Sequence, residues 1–119
     1  MRLPAALVLL AGAAAPAVAQ DSPGSIGYLT AGGLADRCGE NSAESLSYCF
    51  AFMAAVRDTA RAYEIWINQR EFCMPAGTAQ SEIRDIFLAK IESEPSAREG
   101  QAASVVLVAL KEAFPCGAE

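Results

Sequence analysis

The stretch NSAESLSYCFAFMAAVRDTARAY, residues 41–63, indicates the fold class. Asn41, followed three residues later by Glu44, resembles a capping box that opens a helix. The apolar residues that follow recur at alternating three- and four-residue spacing, which is typical of one face of a helix. They are Leu46, Cys49, Met53, Val56, Ala60 and Tyr63, with Phe50 widening the face. The pattern therefore predicts a long helix that ends near residue 63.

A short helix is predicted before this long helix. Thr30 is expected to cap it, because a threonine oxygen can accept a hydrogen bond from a free N–H group of the first turn. Gly39 is expected to end it, directly after Cys38. Its apolar face consists of Leu34, Ala35 and Cys38.

A third helix is predicted after the turn at residues 73–77, which contains Pro75. Thr78 is expected to cap this helix. Pro95 is expected to end it, since the residue before a proline avoids helical geometry. Its apolar face is formed by Ile83, Ile86, Phe87 and Ile91. The pattern of residues 64–72 is compatible with both a helical continuation and an extended segment.

A fourth helix is expected to begin at a second capping box, formed by Ser96 and Glu99. Its apolar stripe comprises Ala102, Val105, Val106, Ala109, Leu110 and Ala113. No strand alternation or internal repeat interrupts the helical patterns. The sequence therefore predicts an all-α fold, a compact bundle of about four helices, one short and three longer.

The first 19 residues predict a signal peptide. Met1 and Arg2 precede a short apolar run, and Ala17-Val18-Ala19 has the small-x-small pattern that signal peptidase cleaves, here before Gln20. The run is too short and too rich in alanine and glycine for a comfortable membrane span, although a retained N-terminal anchor is the alternative. Residues 20–119 are then expected to form a single domain, with residues 20–29 as an extended leader.

The composition excludes several classes of function. The formal net charge is −5, and loss of Arg2 with the signal peptide would make it −6, so nucleic acid is not an expected partner. The chain has no histidine, which excludes Ser-His and Cys-His dyads and histidine-containing zinc sites. Acidic pairs such as Glu82 and Asp85 are spaced like solvated helix faces. We therefore expect no enzymatic activity, no cofactor, no metal and no membrane contact after signal cleavage.

Four cysteines lie after the predicted signal peptide: Cys38, Cys49, Cys73 and Cys116. An even number in an exported chain is typical of structural disulfides, here two, with three possible pairings. Ten residues separate the closest pair, which is too far for the paired ligands of a four-thiolate zinc site. The sequence also has no C-x-x-C redox motif.

Several stretches together resemble one protein family. Residues 49–58 read CFAFMAAVRD, residues 73–78 read CMPAGT, and residues 109–116 read ALKEAFPC at the end of an alanine-rich helix. These resemble the Rap/Tai family of periplasmic immunity proteins, over about residues 28–116. The family protects Gram-negative cells against peptidoglycan-cleaving amidase effectors of the type VI secretion system. The family usually has C-x-G-Y-x-x-G from the second cysteine, whereas this chain has Ala51, Phe52 and Ala55.

The resemblance implies a periplasmic, all-helical homodimer that inhibits an amidase by placing a projecting loop in its active-site groove. An orphan member of the family, without a toxin partner, is one alternative. A second is an acid-stress chaperone of the HdeA type, which is also small, helical, periplasmic and disulfide-bonded. Such a chaperone would need carboxylates whose protonation exposes apolar surface.

The up-down order of the helices predicts the pairing Cys38–Cys49 and Cys73–Cys116. Cys38 ends the first helix beside the start of the second, and Cys116 ends the fourth helix at the same end of the bundle as Cys73. The competing pairing, Cys49–Cys73 with Cys38–Cys116, is not forbidden by chain length.

Two surface predictions follow from exposed-looking side chains. Leu107 and Val108 lie off the stripe of the fourth helix, so we expect them in a dimer interface, unless the first helix and residues 20–29 cover them. Trp66, Asn68, Gln69 and Arg70 are expected to contact the protein partner, because tryptophan and arginine are enriched at binding hot spots. The alternative is that Trp66 fills the gap between the second and third helices.

Overall fold

The computed structural model describes residues 27–117, which form an all-α fold and confirm the predicted class. The predicted signal peptide and leader residues up to 26 lie outside the described residues. The elements in chain order are α1 (Ala31–Gly39), α2 (Ala43–Ile67), α3 (Gln80–Ser93), a 3-10 helix (Pro95–Glu99) and α4 (Ala102–Ala113). No helix within residues 27–117 is both long enough and apolar enough to cross a membrane.

One hydrophobic core joins the four helices. Each helix contributes side chains that are shielded from water, and the largest are Leu34, Met53, Ile83, Phe87, Val106 and Leu110. These residues belong to the predicted apolar faces. Tyr63 and Ala113 also belong to the predicted faces, but they are exposed near the ends of their helices and lie outside the core.

The start of α1 pairs with the start of α4. The Ala31 N–H donates to the Gly100 carbonyl at 2.8 Å, and the Ala102 N–H donates to the Leu29 carbonyl at 3.0 Å. A Cβ at Gly100 would lie 2.9 Å from the Val105 side chain, so this close approach requires a glycine. The two segments therefore fix α1 against α4 by backbone hydrogen bonds as well as by packing.

Of the caps predicted for the first two helices, one is confirmed and the other is displaced by one residue. Thr30 caps α1, because its hydroxyl accepts from the Gly33 N–H at 3.1 Å. The start of α2 is displaced by one residue from the predicted capping box: Ser42, not Asn41, caps the helix and accepts from the Ser45 N–H at 3.1 Å. Serine is an equally favourable cap, and its hydroxyl lies in position for the third N–H.

The predicted caps of the last two helices are wrong. Thr78 donates its hydroxyl to the Pro75 carbonyl within the preceding turn, and α3 begins after Ala79 without a side-chain cap. The box at Ser96 and Glu99 falls within the 3-10 helix instead of opening α4. Gly100 is extended because it pairs with α1, so α4 begins two residues later, where the Gln101 side chain accepts from the Ser104 N–H at 2.7 Å.

The structure resolves the conformation of residues 64–72. The helix α2 continues to Ile67 and ends at Asn68, which adopts the left-handed conformation with φ 53°. Residues 69–72 are non-helical and lead into the Cys73 turn. Within the described residues the two disulfides are Cys38–Cys49 and Cys73–Cys116, which confirms the predicted pairing.

Candidate functional site

The C-terminal end of α2 carries exposed apolar side chains. The helix has 25 residues, or about 37 Å at 1.5 Å per residue, whereas α4 has 12 residues and spans about 18 Å. The buried residues of α2 end at Val56, so its last turns extend beyond the core. The exposed fractions there are 53% for Tyr63, 67% for Ile65, 74% for Trp66 and 58% for Ile67.

Trp66 does not fill the gap between α2 and α3. It is the most exposed of these four residues, and its ring packs edge-to-face against Tyr63 of the same helix, with centroids 5.8 Å apart. The alternative interpretation of Trp66 as a core residue is therefore wrong. An exposed aromatic pair of this kind offers a large apolar area to another molecule.

An apolar groove of about 350 Å³ lies between α2 and α4. We define the apolar groove by its hydrophobic lining: Ala60, Tyr63, Ile67, Leu107 and Val108. Val108 is 45% exposed, and Leu107 is half-buried against the core. Gln69 lines the same groove. The structure thus brings the predicted dimer residues Leu107 and Val108 beside Gln69, one of the predicted partner-binding residues.

We refer to residues 66–71 as the contact segment, and an ion-pair network orients it. Glu64 accepts hydrogen bonds from Arg61 and from Arg70, each at 2.6 Å. These hydrogen bonds, the one from Arg61 first and the one from Arg70 second, lower the pKa of the Glu64 carboxyl. Arg70 is thereby held against the last turn of α2 while its side chain stays more than half exposed.

A second set of polar contacts joins the contact segment to α4. Gln69 donates from its side-chain nitrogen to Glu71 at 2.8 Å, and Lys111 lies 3.2 Å from the other oxygen of Glu71. Exposed ion pairs contribute little stability individually. Their value here is geometric, because they hold the segment in one orientation relative to two helices.

The Cys73–Cys116 disulfide fixes the base of the contact segment. Beside it, the Cys73 N–H donates to the Phe114 carbonyl at 2.8 Å, so the chain is held to the end of α4 by a covalent bond and a hydrogen bond. A charged cleft of about 450 Å³ borders the same segment, lined by Arg57, Asp58, Arg61, Glu64, Arg70 and Phe72, among others.

The sequence placed Trp66, Asn68, Gln69 and Arg70 in one segment, and the structure leaves all four exposed. The sequence analysis did not identify three further exposed residues of this region, Tyr63, Ile65 and Ile67. Helical periodicity assigns Tyr63 to the core face, because it does not show where the neighbouring helices end. The length of the apolar pattern in α2, compared with that in the shorter helices, is the signal that could have identified the overhang.

Among residues 27–117, no cluster of three or more histidine, cysteine or acidic side chains could hold a metal ion. The exposed aromatic side chains, the apolar groove and the rigid base define a small, disulfide-bonded helical domain whose surface is suited to contact with another protein. A family model of the Rap1a immunity proteins matches residues 30–116, and the chain belongs to this family, which is non-catalytic. No curated protein and no solved structure matches the chain.

Proposed function

We propose that the protein is a periplasmic immunity protein that neutralises a peptidoglycan amidase effector of a type VI secretion system by occluding its active-site groove. Membership of an immunity family implies a cognate toxin partner. The main observation that supports this surface as the binding site is the exposure of Trp66 on a rigidly held segment. Two disulfides are consistent with an oxidising compartment, as is the signal pattern of residues 1–19.

The contact segment has the chemistry of a binding hot spot. Trp66 supplies apolar area, and Asn68, Gln69 and Arg70 supply exposed hydrogen-bonding groups. Ordering a flexible loop opposes binding, at about 0.5–1.5 kcal/mol for each immobilised side chain. Because Glu64 and the disulfide already restrain the segment, part of that cost is met in folding.

A second copy of the chain covers the apolar groove in this proposal. The groove joins Leu107 and Val108 to Tyr63 and Ile67, which makes a continuous apolar area instead of isolated exposed side chains. Light scattering should give the mass of a dimer. Val108→Glu should give a folded monomer. It is a better test than Leu107→Glu, because Leu107 packs partly against the core and a charge at that position would destabilise the domain itself. A wild-type monomer at high concentration would contradict the dimer.

The chaperone alternative gains no support from Glu64, the carboxyl at the centre of the ion-pair network. An acid-triggered chaperone needs carboxylates that bind protons at mildly acidic pH. The pKa of Glu64 is shifted downward by Arg61 and Arg70, so this carboxyl stays ionised to lower pH than usual. Acid-dependent rescue of an aggregating client protein would nevertheless favour the chaperone.

Capture with the protein's own potential partners tests the function. The chain corresponding to residues 20–119 would be immobilised and exposed to the secreted and periplasmic proteins of its strain. We expect it to retain a protein that cleaves peptidoglycan amide bonds, and to inhibit that cleavage stoichiometrically. A retained protein without amidase activity, or an amidase that stays active in the complex, would contradict the proposal.

Matched variants then test the surface. Arg70→Ala combined with Gln69→Ala should lower the melting temperature only slightly and should weaken inhibition, since both side chains are exposed and exposed ion pairs contribute little stability. Arg37→Ala is the control, because Arg37 is an exposed arginine of α1 that stacks on Tyr48 outside the contact segment. Equal inhibition by all of these variants would place the binding surface elsewhere.

A further inference from the structure

The two disulfides differ in their access to solvent. Cys38 is 3% exposed and Cys49 is 0% exposed, so that bond lies within the core. Cys73 is half-buried and Cys116 is exposed. Thiol–disulfide exchange requires a thiolate to reach a sulfur atom of the bond. An external thiolate can therefore approach the second bond from solvent, whereas the first requires the core to open.

A guanidinium lies beside one sulfur of the accessible disulfide. A side-chain nitrogen of Arg70 is 4.0 Å from Cys73 Sγ, and Glu64 holds the same guanidinium at 2.6 Å. A neighbouring positive charge stabilises a thiolate, and a more stable thiolate leaves faster. Glu64 offsets part of this charge, so the effect of Arg70 on the rate is modest.

We propose that the Cys73–Cys116 disulfide is a site of thiol–disulfide exchange that accepts electrons from a dithiol, while Cys38–Cys49 stays oxidised. This goes beyond the proposed immunity function, because it requires no toxin. The thiolate of the dithiol attacks Cys116 Sγ, the S–S bond breaks, and its electron pair leaves on Cys73 Sγ beside Arg70. The second thiol of the reductant loses its proton and attacks the reductant's own sulfur in the mixed disulfide, which releases the Cys116 thiolate. The reductant becomes a disulfide, and the protein gains two electrons and two protons.

The position of this disulfide determines what exchange does to the molecule. The disulfide closes a loop of sequence separation 43 and fixes the base of the contact segment. The core residues of α1, α2, α3 and α4 pack without it, and the buried bond continues to join α1 to α2. The singly reduced protein is therefore a folded domain with a loosened contact segment. Any effect on toxin binding rests on the proposed function and is separate from the exchange itself.

Reduction of the purified protein by dithiothreitol tests the proposal without a partner. Samples would be quenched with acid, alkylated and mapped by mass spectrometry after proteolysis. We expect Cys73 and Cys116 to be labelled at least about 100-fold faster than Cys38 and Cys49, because the buried bond reacts only after local opening. Far-UV circular dichroism should persist in the singly reduced state. The fluorescence anisotropy of Trp66, the single tryptophan of the chain, should fall.

Substitution of Arg70 separates charge from simple exposure. Arg70→Gln should slow reduction by about threefold, in line with a small change in the pKa of the leaving thiol. Arg37→Gln is the matched control and should not alter the rate. An unchanged rate in Arg70→Gln would remove the leaving-group role of Arg70 and leave exposure as the sole cause.

Three outcomes would overturn the proposal. They are equal reduction rates for the two disulfides, reduction of Cys38–Cys49 first, and reduction that occurs only in denaturant. The variant Cys73→Ala with Cys116→Ala provides a second measurement. It should remain helical, and its single disulfide should resist dithiothreitol as in the wild type. Loss of helical structure in this variant would contradict the independence of the core.

Discussion

The two disulfides lie in different surroundings, and the comparison shows that the same kind of crosslink can serve two purposes. Cys38 and Cys49 are both buried, and the adjacent buried polar residue, Ser45, donates its hydroxyl to Glu40. Around Cys73–Cys116 large apolar side chains such as Trp66 lie in water on a restrained segment. Burial stabilises the first region, whereas the second contributes a defined surface. The same bond type therefore supports a core in one place and an exposed apolar surface in the other.

The largest expected effects come from removing each disulfide. Cys38→Ala with Cys49→Ala should cost about 3 kcal/mol through loop entropy and about 2 kcal/mol more through lost packing of two buried sulfurs. Cys73→Ala with Cys116→Ala should cost about 4 kcal/mol, since its loop is longer but its sulfurs are less buried. Urea unfolding would measure both. A larger loss for the second pair would show that loop length outweighs burial here.

A core aromatic substitution should come next. Phe87 is fully buried, so Phe87→Ala should lower the free energy of unfolding by about 3–5 kcal/mol through lost burial and a cavity. Ile65→Ala is the control from the overhanging end of α2, because Ile65 is 67% exposed and does not line the apolar groove. Chemical denaturation would compare them. Similar losses in the free energy of unfolding for the two variants would show that the overhanging end of α2 contributes as much to stability as the core.

The ion pairs of the contact segment should give a smaller, pH-dependent effect. Folding lowers the pKa of Glu64 below its ordinary value of 4.5, so its contribution is present above that pH and is lost as the pH falls through the folded-state pKa. The stability difference between wild type and Glu64→Gln should shrink as the solution is acidified below about pH 4.5. Urea unfolding between neutral and acidic pH would measure it.

The control for this titration is Glu92→Gln. Glu92 is an exposed glutamate of α3 that forms no ion pair within residues 27–117. Its substitution removes a carboxylate of the same type without removing an ion pair. The same acid dependence in both variants would show that Arg61 and Arg70 are not the cause.

The smallest expected change in stability is that of Trp66→Ala. Because Trp66 is 74% exposed, the free energy of unfolding should change by less than about 1 kcal/mol. Under the proposed function the same variant should weaken partner binding by about 30-fold or more, as for a hot-spot residue. A stability loss near that of Phe87→Ala would show that Trp66 is buried in the core.

The sequence predicted the parts of this fold that depend on local spacing. Periodicity identified the four helices and the buried positions Leu34, Met53 and Phe87, and the up-down order predicted both disulfides. These features succeed because a 3.6-residue period and a bundle topology leave few ways to bury one apolar face.

The errors arose where tertiary contacts override a local signature. Ser96 and Glu99 have capping-box spacing, yet the backbone of Gly100 pairs with α1 and prevents a continuous helix. The contact segment was predicted by residue type alone, and the exposure of Trp66 depends on the unequal lengths of α2 and α4. Such relative lengths in space are not encoded in the period of either helix.

The order of the cysteines has a consequence for oxidative folding. Each cysteine is bonded to its neighbour in sequence, Cys38 to Cys49 and Cys73 to Cys116. In a chain that emerges N-terminus first, the first bond can close before the third cysteine appears. A catalyst that oxidises thiols as they emerge would therefore reach the native arrangement without later reshuffling. Formation of the second bond must await residue 116, so the contact segment acquires its covalent base only when nearly the whole chain has emerged.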